Sequence, residues 1–553
     1  MTVTDPIASP VESIKAASAL LRGDLASELE APAPNVSHDA EQLLKFHGVY
    51  AQDDRDQRRA RSLAGETLAF SFMIRVAIPG GRLTTAQWLA LDAVADDVAD
   101  GTIRLTTRQA VQFHGVAKHD LRTVASTLHH HLLTSFAACG DVVRNTVTCP
   151  DLAIAGGGDP GEGVASRIAR AFKPATRAHW EIFVDGTLAA SAVEDVEHDF
   201  YGETYLPRKF KIAVAHPDEN CVDVYAQDLG LVPATHPELG SGFVVLVGGG
   251  LGRSYAQADT FARLADSLTF VTHDEVIALI GAVVETYRDL GDRTNRRRAR
   301  MKYVVADGGL AAFAAAVSRR YGPLRPPLEV HLGAGDDHLG WRKDADGRWR
   351  LGIRVAAGRV RDERVGLGLR SALREVLRGR DLELIITAQQ DLIVAGFAQS
   401  ERDEVDRLLE RHGVRGLDQL GAVERSALAC PALPTCGQAL AEAERVLPAV
   451  VDAVQASLDR LGGSRGLQLR LTGCPNGCAR PALAEVGIVG RTKTTYDVYL
   501  GGGPRGDRLA RVAHEKVELD DLAEVLTPHL ERWRDEGLDG ESFGDFVQRV
   551  AAP

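Results

Sequence analysis

The chain has 553 residues, 45% of them hydrophobic, with seven cysteines and a formal net charge of −12 at neutral pH. That length calls for two to four domains with genuine cores, and the acidic balance excludes a general nucleic-acid binder, which is basic over its binding domain. No apolar run reaches the length of a membrane span, and an odd cysteine count in a long chain without an export signal excludes a disulfide scaffold, so the expectation is a cytoplasmic protein with reduced thiols.

Residues 1–40 are polar, acidic and punctuated by proline, and read as an N-terminal tail. Residues 41–70 read as a wrapping segment. Next come a strand at Ile74-Arg75-Val76, a helix over 85–99, and a strand from Ile103 running through Arg104-Leu105-Thr106-Thr107-Arg108-Gln109 to Gly115. The same order returns about 280 residues later as Ile353-Arg354-Val355, a helix through Glu375, and Leu384-Ile385-Ile386-Thr387-Ala388-Gln389-Gln390 on to Gly396. Two α+β units side by side are predicted, at 71–136 and 339–412. A second repeat links the intervening and final segments, 137–338 and 413–553. There an apolar strand over 243–247 enters Gly248-Gly249-Gly250, and one over 496–500 enters Gly501-Gly502-Gly503. The fold expected is a pseudo-twofold duplication, whose interface is a natural place for a large cofactor.

The first glycine loop, with Asp274 or Glu275 beyond it, invites a dinucleotide reading, but its spacing is imperfect and it lies mid-chain. A tight turn or the approach of another anion fits better. Basic residues offer such a site. Arg75, Arg104 and Arg108 fall on the paired strands, Arg144 follows, and Arg208-Lys209-Phe210-Lys211 opens a further strand. Strand alternation sends both lysines of the Lys-x-Lys pair to one face. A solvated charge is the default for any one of these residues; their convergence on one face asks for an anion. Arg296-Arg297-Arg298 with Arg300 and Lys302 reads as a solvated basic helix face, and His129, His130 and His131 point in different directions on a helix and receive no metal.

Four cysteines cluster late, as Cys430-x5-Cys436 and Cys474-x3-Cys478, flanked by Pro431, Pro434, Gly437, Gly473, Pro475 and Gly477. Turns of that kind bend four thiolates inward around a 4Fe-4S cluster. Structural zinc accommodates the three-residue gap but not the five-residue one. Cys149 and Cys221 receive no role.

Together these motifs resemble the sulfite and nitrite reductase hemoprotein family. The resemblance rests on Lys45-Phe46-His47-Gly48-Val49-Tyr50 with Asp53-Asp54-Arg55-Asp56, on Arg104 to Gln109 and Gln112-Phe113-His114-Gly115, and on Leu206-Pro207-Arg208-Lys209-Phe210-Lys211. It continues through Gly248-Gly249-Gly250-Leu251-Gly252 and Ala441-Glu442-Ala443-Glu444-Arg445 to Thr472-Gly473-Cys474-Pro475-Asn476-Gly477-Cys478, spanning the chain from about residue 40. It implies an α+β fold in which 71–136 and 339–412 are ferredoxin-like half-domains and the other two segments are α/β domains that bind siroheme and the cluster. It further implies cluster ligation by Cys430, Cys436, Cys474 and Cys478, with Cys478 bridging to siroheme iron. Arg108, Gln112, Arg208 and Asn476 would contact siroheme, and Arg75, Arg144, Lys209 and Lys211 would bind the substrate oxyanion. The implied activity is assimilatory six-electron reduction of sulfite to sulfide. Nitrite is the alternative substrate; nitrite-specialised relatives tend to carry a neutral amide at the second lysine, so Lys211 favours sulfite. Without a flavin domain of its own, the chain would draw electrons from an NADPH-oxidising flavoprotein or a ferredoxin. Some ferredoxin-linked relatives carry a covalent Tyr–Cys bond, and for Tyr50 and Cys139 the resemblance leaves two readings open, that bond or a buried free thiol at Cys139. A zinc-stabilised binding protein would explain the cysteines but neither the cations nor the repeat.

Overall fold

The computed structural model describes residues 8–154, 163–175, 181–184, 187–191, 200–462 and 466–551. Two five-stranded sheets form the paired α+β units. The first has the order Val49–Asp53, Phe70–Val76, Val111–Val116, Ile103–Leu105, Arg359–Val360; the second has Gly340–Lys343, Trp349–Ile353, Leu392–Phe397, Glu383–Ile386, Arg82–Thr84. The fifth strand of each sheet therefore comes from the other unit. Helix Thr85–Asp97 starts at a capping box made by Thr84 and Gln87, and buries Trp88, Leu91, Val94 and Ala95 along one face. That spacing is the apolar stripe of a helix packed on a sheet.

Two larger sheets carry the second repeat. Val147–Thr148, Ile212–Val214, Leu229–His236, Gly240–Val247 and Asp266–Thr272 lie side by side in chain order, as do Leu428–Ala429, Leu469–Thr472, Val486–Gly490, Thr495–Leu500 and Arg511–Glu518. In both, the first two pairings are parallel and the last two antiparallel. The central strands are nearly continuous apolar runs because both faces are covered. The glycine loops that follow are close-approach turns. A Cβ at Gly249 would lie 2.2 Å from Tyr225 O, and one at Gly502 would lie 2.2 Å from Ala484 O.

Three expectations change. Residues 8–40 are no tail: helices Pro10–Ala16 and Leu25–Glu30 pack onto the body through Leu21 and Leu25, while Lys15, 1% exposed, donates to Leu206 O at 3.0 Å and pairs with Glu12 at 2.6 Å. Glu12 and Lys15 thus serve a buried pair, while Asp24, Glu30 and Asp39 face solvent. Residues 41–70 do more than wrap, since Val49–Asp53 is the edge strand of the first sheet. The repeat is also shifted. Gln109 and Gln390 share a left-handed φ, 51° and 67°, and two residues on, Val111 pairs with Val76 as Leu392 pairs with Ile353. Val76 thus matches Ile353 rather than Val355, and the shared Ile-Arg-Val letters are a coincidence that strand register overrides. Arg354 corresponds to Ala77 and holds the buried Asp391 at 2.8 Å. Among the described residues, no single helix is long and apolar enough to cross a membrane.

Candidate active site at the pseudo-twofold seam

Where the two halves meet, Arg108, Lys209, Lys211, Gly252, Arg300, Asn476, Cys478 and Arg480 line one cleft. Loops from both halves build it. A Cβ at Gly252 would lie 3.1 Å from Asn476 O, Arg253 N–H donates to Pro475 O at 3.0 Å, and Thr107 Oγ1 donates to Cys478 O at 3.1 Å. Arg108 sits in the turn between Ile103–Leu105 and Val111–Val116, and its guanidinium reaches Gln227 Oε1 at 2.8 Å and Ile212 O at 3.0 Å.

Strand alternation sorts the next motif. Phe210 is buried and Arg208 lies 3.8 Å from Asp141, while Lys209 and Lys211 enter the cleft. Neither ammonium has a hydrogen bond or ion pair among the described residues. Burial, then Arg300 and Arg108, pulls Lys211 down to about 7 against the opposing pull of Cys478 and Asp228. Burial, then Lys211 and Arg144, holds Lys209 well below the usual lysine range. A second group adjoins. Arg75 Nη1 donates to Cys139 Sγ at 2.7 Å, and Arg144 Nε donates to Gly140 O at 3.0 Å. Burial and then Cys139 push the Tyr50 hydroxyl up, with Arg144 and Arg75 opposing. Gln112 stays in its sheet, register-paired with both Arg75 and Arg104, with Nε2 3.4 Å from Met73 Sδ. The structure therefore brings Arg108, Lys209, Lys211, Asn476 and Cys478 together, sets Arg75, Arg144, Tyr50 and Cys139 beside them, and leaves Arg208 and Gln112 off the lining.

Sequence reasoning misjudged the basic run. Arg296 to Arg300 lie in a turn before helix Met301–Gly308, and only Arg297 is fully exposed. Arg300 pairs with Asp228 at 2.7 Å, and Lys302 donates to Gly250 O at 3.2 Å and Gly252 O at 2.7 Å, so this run shapes the glycine loop and the cleft wall. Arg480 was not foreseen either. It follows the cysteine motif and pairs with Asp223 at 2.7 Å.

The cysteines fit a cluster. Burial and then the facing Cys478 raise Cys430, and the same causes in the same order push Cys474 up to about 12. Thiols in such mutual opposition ionise together only around a cation. The five-residue gap between Cys430 and Cys436 lies outside the usual zinc spacings, so a polynuclear centre suits the four facing thiols better than zinc. Gly473 N–H donates to Cys430 Sγ at 3.4 Å, and Arg55 fastens the loop through Cys436 O at 3.0 Å and Ala439 O at 2.6 Å. Of the four, Cys478 is exposed and lines the cleft. The cleft fits a polycarboxylate. It holds unpaired lysines, and the buried Nε atoms of Arg75 and Arg108 have no hydrogen-bond partner.

Such a duplicated α+β fold, with a thiol cage beside a cationic cleft, is the architecture of a redox enzyme for small anions. The nitrite and sulphite reductase 4Fe-4S domain model matches residues 163–323 and 421–552, and the nitrite/sulfite reductase ferredoxin-like half domain model matches 68–131. The chain is 43% identical to the sulfite reductase (NADPH) hemoprotein beta-component of Myxococcus xanthus, covering 98% of this chain and 96% of that one. It is 40% identical to the sulfite reductase (ferredoxin) of Synechococcus elongatus, covering 98% and 89%. The solved structure of the Mycobacterium tuberculosis NirA protein shares the fold, with a TM-score of 0.76, 23% identity, and coverage of 97% of this chain and 95% of that one. The chain belongs to the nitrite and sulphite reductase family.

Proposed function

We propose that this chain is the hemoprotein of an assimilatory sulfite reductase, carrying siroheme and a 4Fe-4S cluster and reducing sulfite to sulfide in the cytoplasm. The observation that carries this reading is the pair of unpartnered ammonium groups, Lys209 and Lys211, in a cleft that also receives Cys478. Cys430, Cys436, Cys474 and Cys478 would hold the cluster, and Arg108, Arg300, Arg480 and Asn476 would face the siroheme carboxylates. Bound siroheme and the cluster would together supply single-electron redox chemistry at the cleft, with Cys478 the cage residue that lines it.

The protein's own groups do the rest. Arg75 and Arg144 hold the oxyanion with fixed positive charge in a largely buried site, where such charge acts strongly, and Lys209 and Lys211 add theirs when protonated. The low proton affinity of both lysines suits them to give protons to oxygens leaving as water. Sulfite, with more charge than nitrite, makes better use of two lysines, which favours it as the substrate. Electrons come from a separate redox protein, an NADPH-oxidising flavoprotein or a ferredoxin. Tyr50 and Cys139, neighbours beside Arg75 and Arg144, are the residues we propose to be covalently linked. A linked peptide two hydrogens lighter than its parts would establish the bond; recovery of both peptides separately would remove it.

The deciding experiment combines the visible spectrum with iron and acid-labile sulfide analysis and sulfite turnover by the purified protein. Reduced-porphyrin bands, iron about one in excess of a four-iron cluster and matching sulfide are expected. Lys209→Met and Lys211→Met should keep both cofactors and lose about 100-fold or more in kcat. A colourless protein, or full turnover in both variants, would overturn the reading.

A further inference from the structure

The duplication carries Cys149 and Cys221 to the positions of two cluster cysteines. Cys149 N–H donates to Val214 O at 3.1 Å as Cys430 N–H donates to Leu471 O at 3.3 Å, each at the end of the matching parallel strand. Cys221 and Cys478 each stand two residues before a left-handed residue, Asp223 at φ 50° and Arg480 at φ 60°, which opens a short 3-10 turn. The environment agrees: Gln389 Nε2 donates to Cys221 O at 2.9 Å, as Thr107 does to Cys478 O.

At the cluster, the remaining two thiols come from Cys436 and Cys474. In the first half the two cysteines are joined instead by Glu219 and His338, and the ligand atoms of all four lie within 4.8 Å of one another. All but Glu219 are buried. Cys149 Sγ lies 2.7 Å from Glu219 Oε1 and 4.0 Å from His338 Nε2, and that nitrogen is 3.9 Å from the same carboxylate oxygen. The other oxygen, Oε2, is fixed by the N–H groups of Cys221 at 2.7 Å and Asp336 at 3.1 Å, which aims Oε1 inward. On the far side of the ring, His338 Nδ1 lies 3.5 Å from Asp151, which Arg350 holds at 2.6 Å. A carboxylate behind the distal ring nitrogen is the usual support of a metal-bound histidine.

We propose that Cys149, Cys221, Glu219 and His338 form a second metal site, binding one zinc-class divalent cation at the pseudo-twofold counterpart of the iron–sulfur cage. Two thiolates, an imidazole and a carboxylate suit tetrahedral zinc, whose ligand atoms lie about 3.5–4 Å apart. A mononuclear ion needs this tight quartet, whereas the cluster needs the wider cage of the other half. The site has no opening assigned to substrate, and its role is to tie the 337–339 segment to the first large sheet.

The test is metal analysis of holoprotein produced with zinc supplied and then desalted. About one zinc per chain is expected beyond the iron of the cofactors. His338→Gln and the double variant Cys149→Ser/Cys221→Ser should lower zinc at least tenfold while the visible spectrum of the iron cofactors persists. Cys430→Ser should lose iron and keep zinc. Cobalt(II) added to chelator-treated wild type gives a readout that needs no variant: thiolate charge-transfer bands with tetrahedral visible absorption are expected. Wild type without stoichiometric zinc and without those bands would overturn the site, as would a Cys149–Cys221 disulfide in the purified protein. Either failure leaves the reductase reading untouched, because that reading rests on the other cysteine set.

Discussion

Lys211 concentrates the conflict between folding and function in one side chain. Its folded pKa of about 7 lies below that of an unfolded lysine, so the unfolded chain binds more protons between those values and stability rises with pH across that window. Below about pH 7 the full cost of a buried, charged ammonium is present. Lys211→Met should therefore raise the melting temperature of the cofactor-free protein at neutral pH while lowering turnover about 100-fold; a lower melting temperature would contradict the assignment. Anion binding has the opposite dependence. Sulfite affinity should fall as pH rises through the Lys211 pKa, which lies at about 7 when only Arg300, Arg108, Cys478 and Asp228 face it and higher once anionic groups fill the cleft. The alkaline limb of the sulfite KM should flatten in Lys211→Met, and an unchanged limb would assign it to another group. Lys209 and Lys211 were legible from alternation alone. Arg300 was not, because its partner Asp228 is distant in sequence, and an arginine shows its burial only through its acid.

Among the elements, the helices facing each other across the halves are bound by charge. Arg370, on Leu369–Leu377, reaches Asp92 at 2.5 Å, Asp96 at 2.6 Å and Gly101 O at 2.7 Å, all on or just after Thr85–Asp97. Arg370→Ala leaves Asp92 buried and short of its partner, and should cost about 3–5 kcal/mol in urea unfolding. A change below about 1 kcal/mol would mean Arg374 compensates. Apolar runs entering triple glycines announced their strands and loops in the sequence, and proline- and glycine-flanked cysteine pairs announced the cage. The exchanged strands did not announce themselves. Arg82–Thr84 and Arg359–Val360 are three and two residues long, too short for any periodicity, and pairing partners more than 250 residues away leave no local trace. The pairing of Cys149 with Cys221 was hidden for the same reason, since the matching turns become visible only when the two large sheets are superposed.

At the scale of the molecule, the cleft belongs to neither half. Arg108, Lys209 and Lys211 come from one and Asn476, Cys478 and Arg480 from the other, and each paired sheet is completed by a strand of its counterpart. Heating or urea should therefore unfold the two halves in one transition, followed identically by far-ultraviolet circular dichroism and tryptophan fluorescence. Two separated transitions would show that the exchanged strands contribute little. Bound cofactor should move the transition upward, because it binds only the assembled seam.

The exchange also imposes an order on synthesis. When Arg82–Thr84 leaves the ribosome its neighbour Glu383–Ile386 does not yet exist, and the first sheet waits for Arg359–Val360 with an open edge beside Ile103–Leu105. At ordinary translation rates that edge stays open for roughly half a minute. An exposed edge is a template for wrong pairing, so a nascent chain of this design depends on its edge strand being short, as Ile103–Leu105 is. Cys478 emerges later still. Metallation at the seam therefore waits until most of the chain has been made, and a product that stops short of Cys478 cannot complete the cleft.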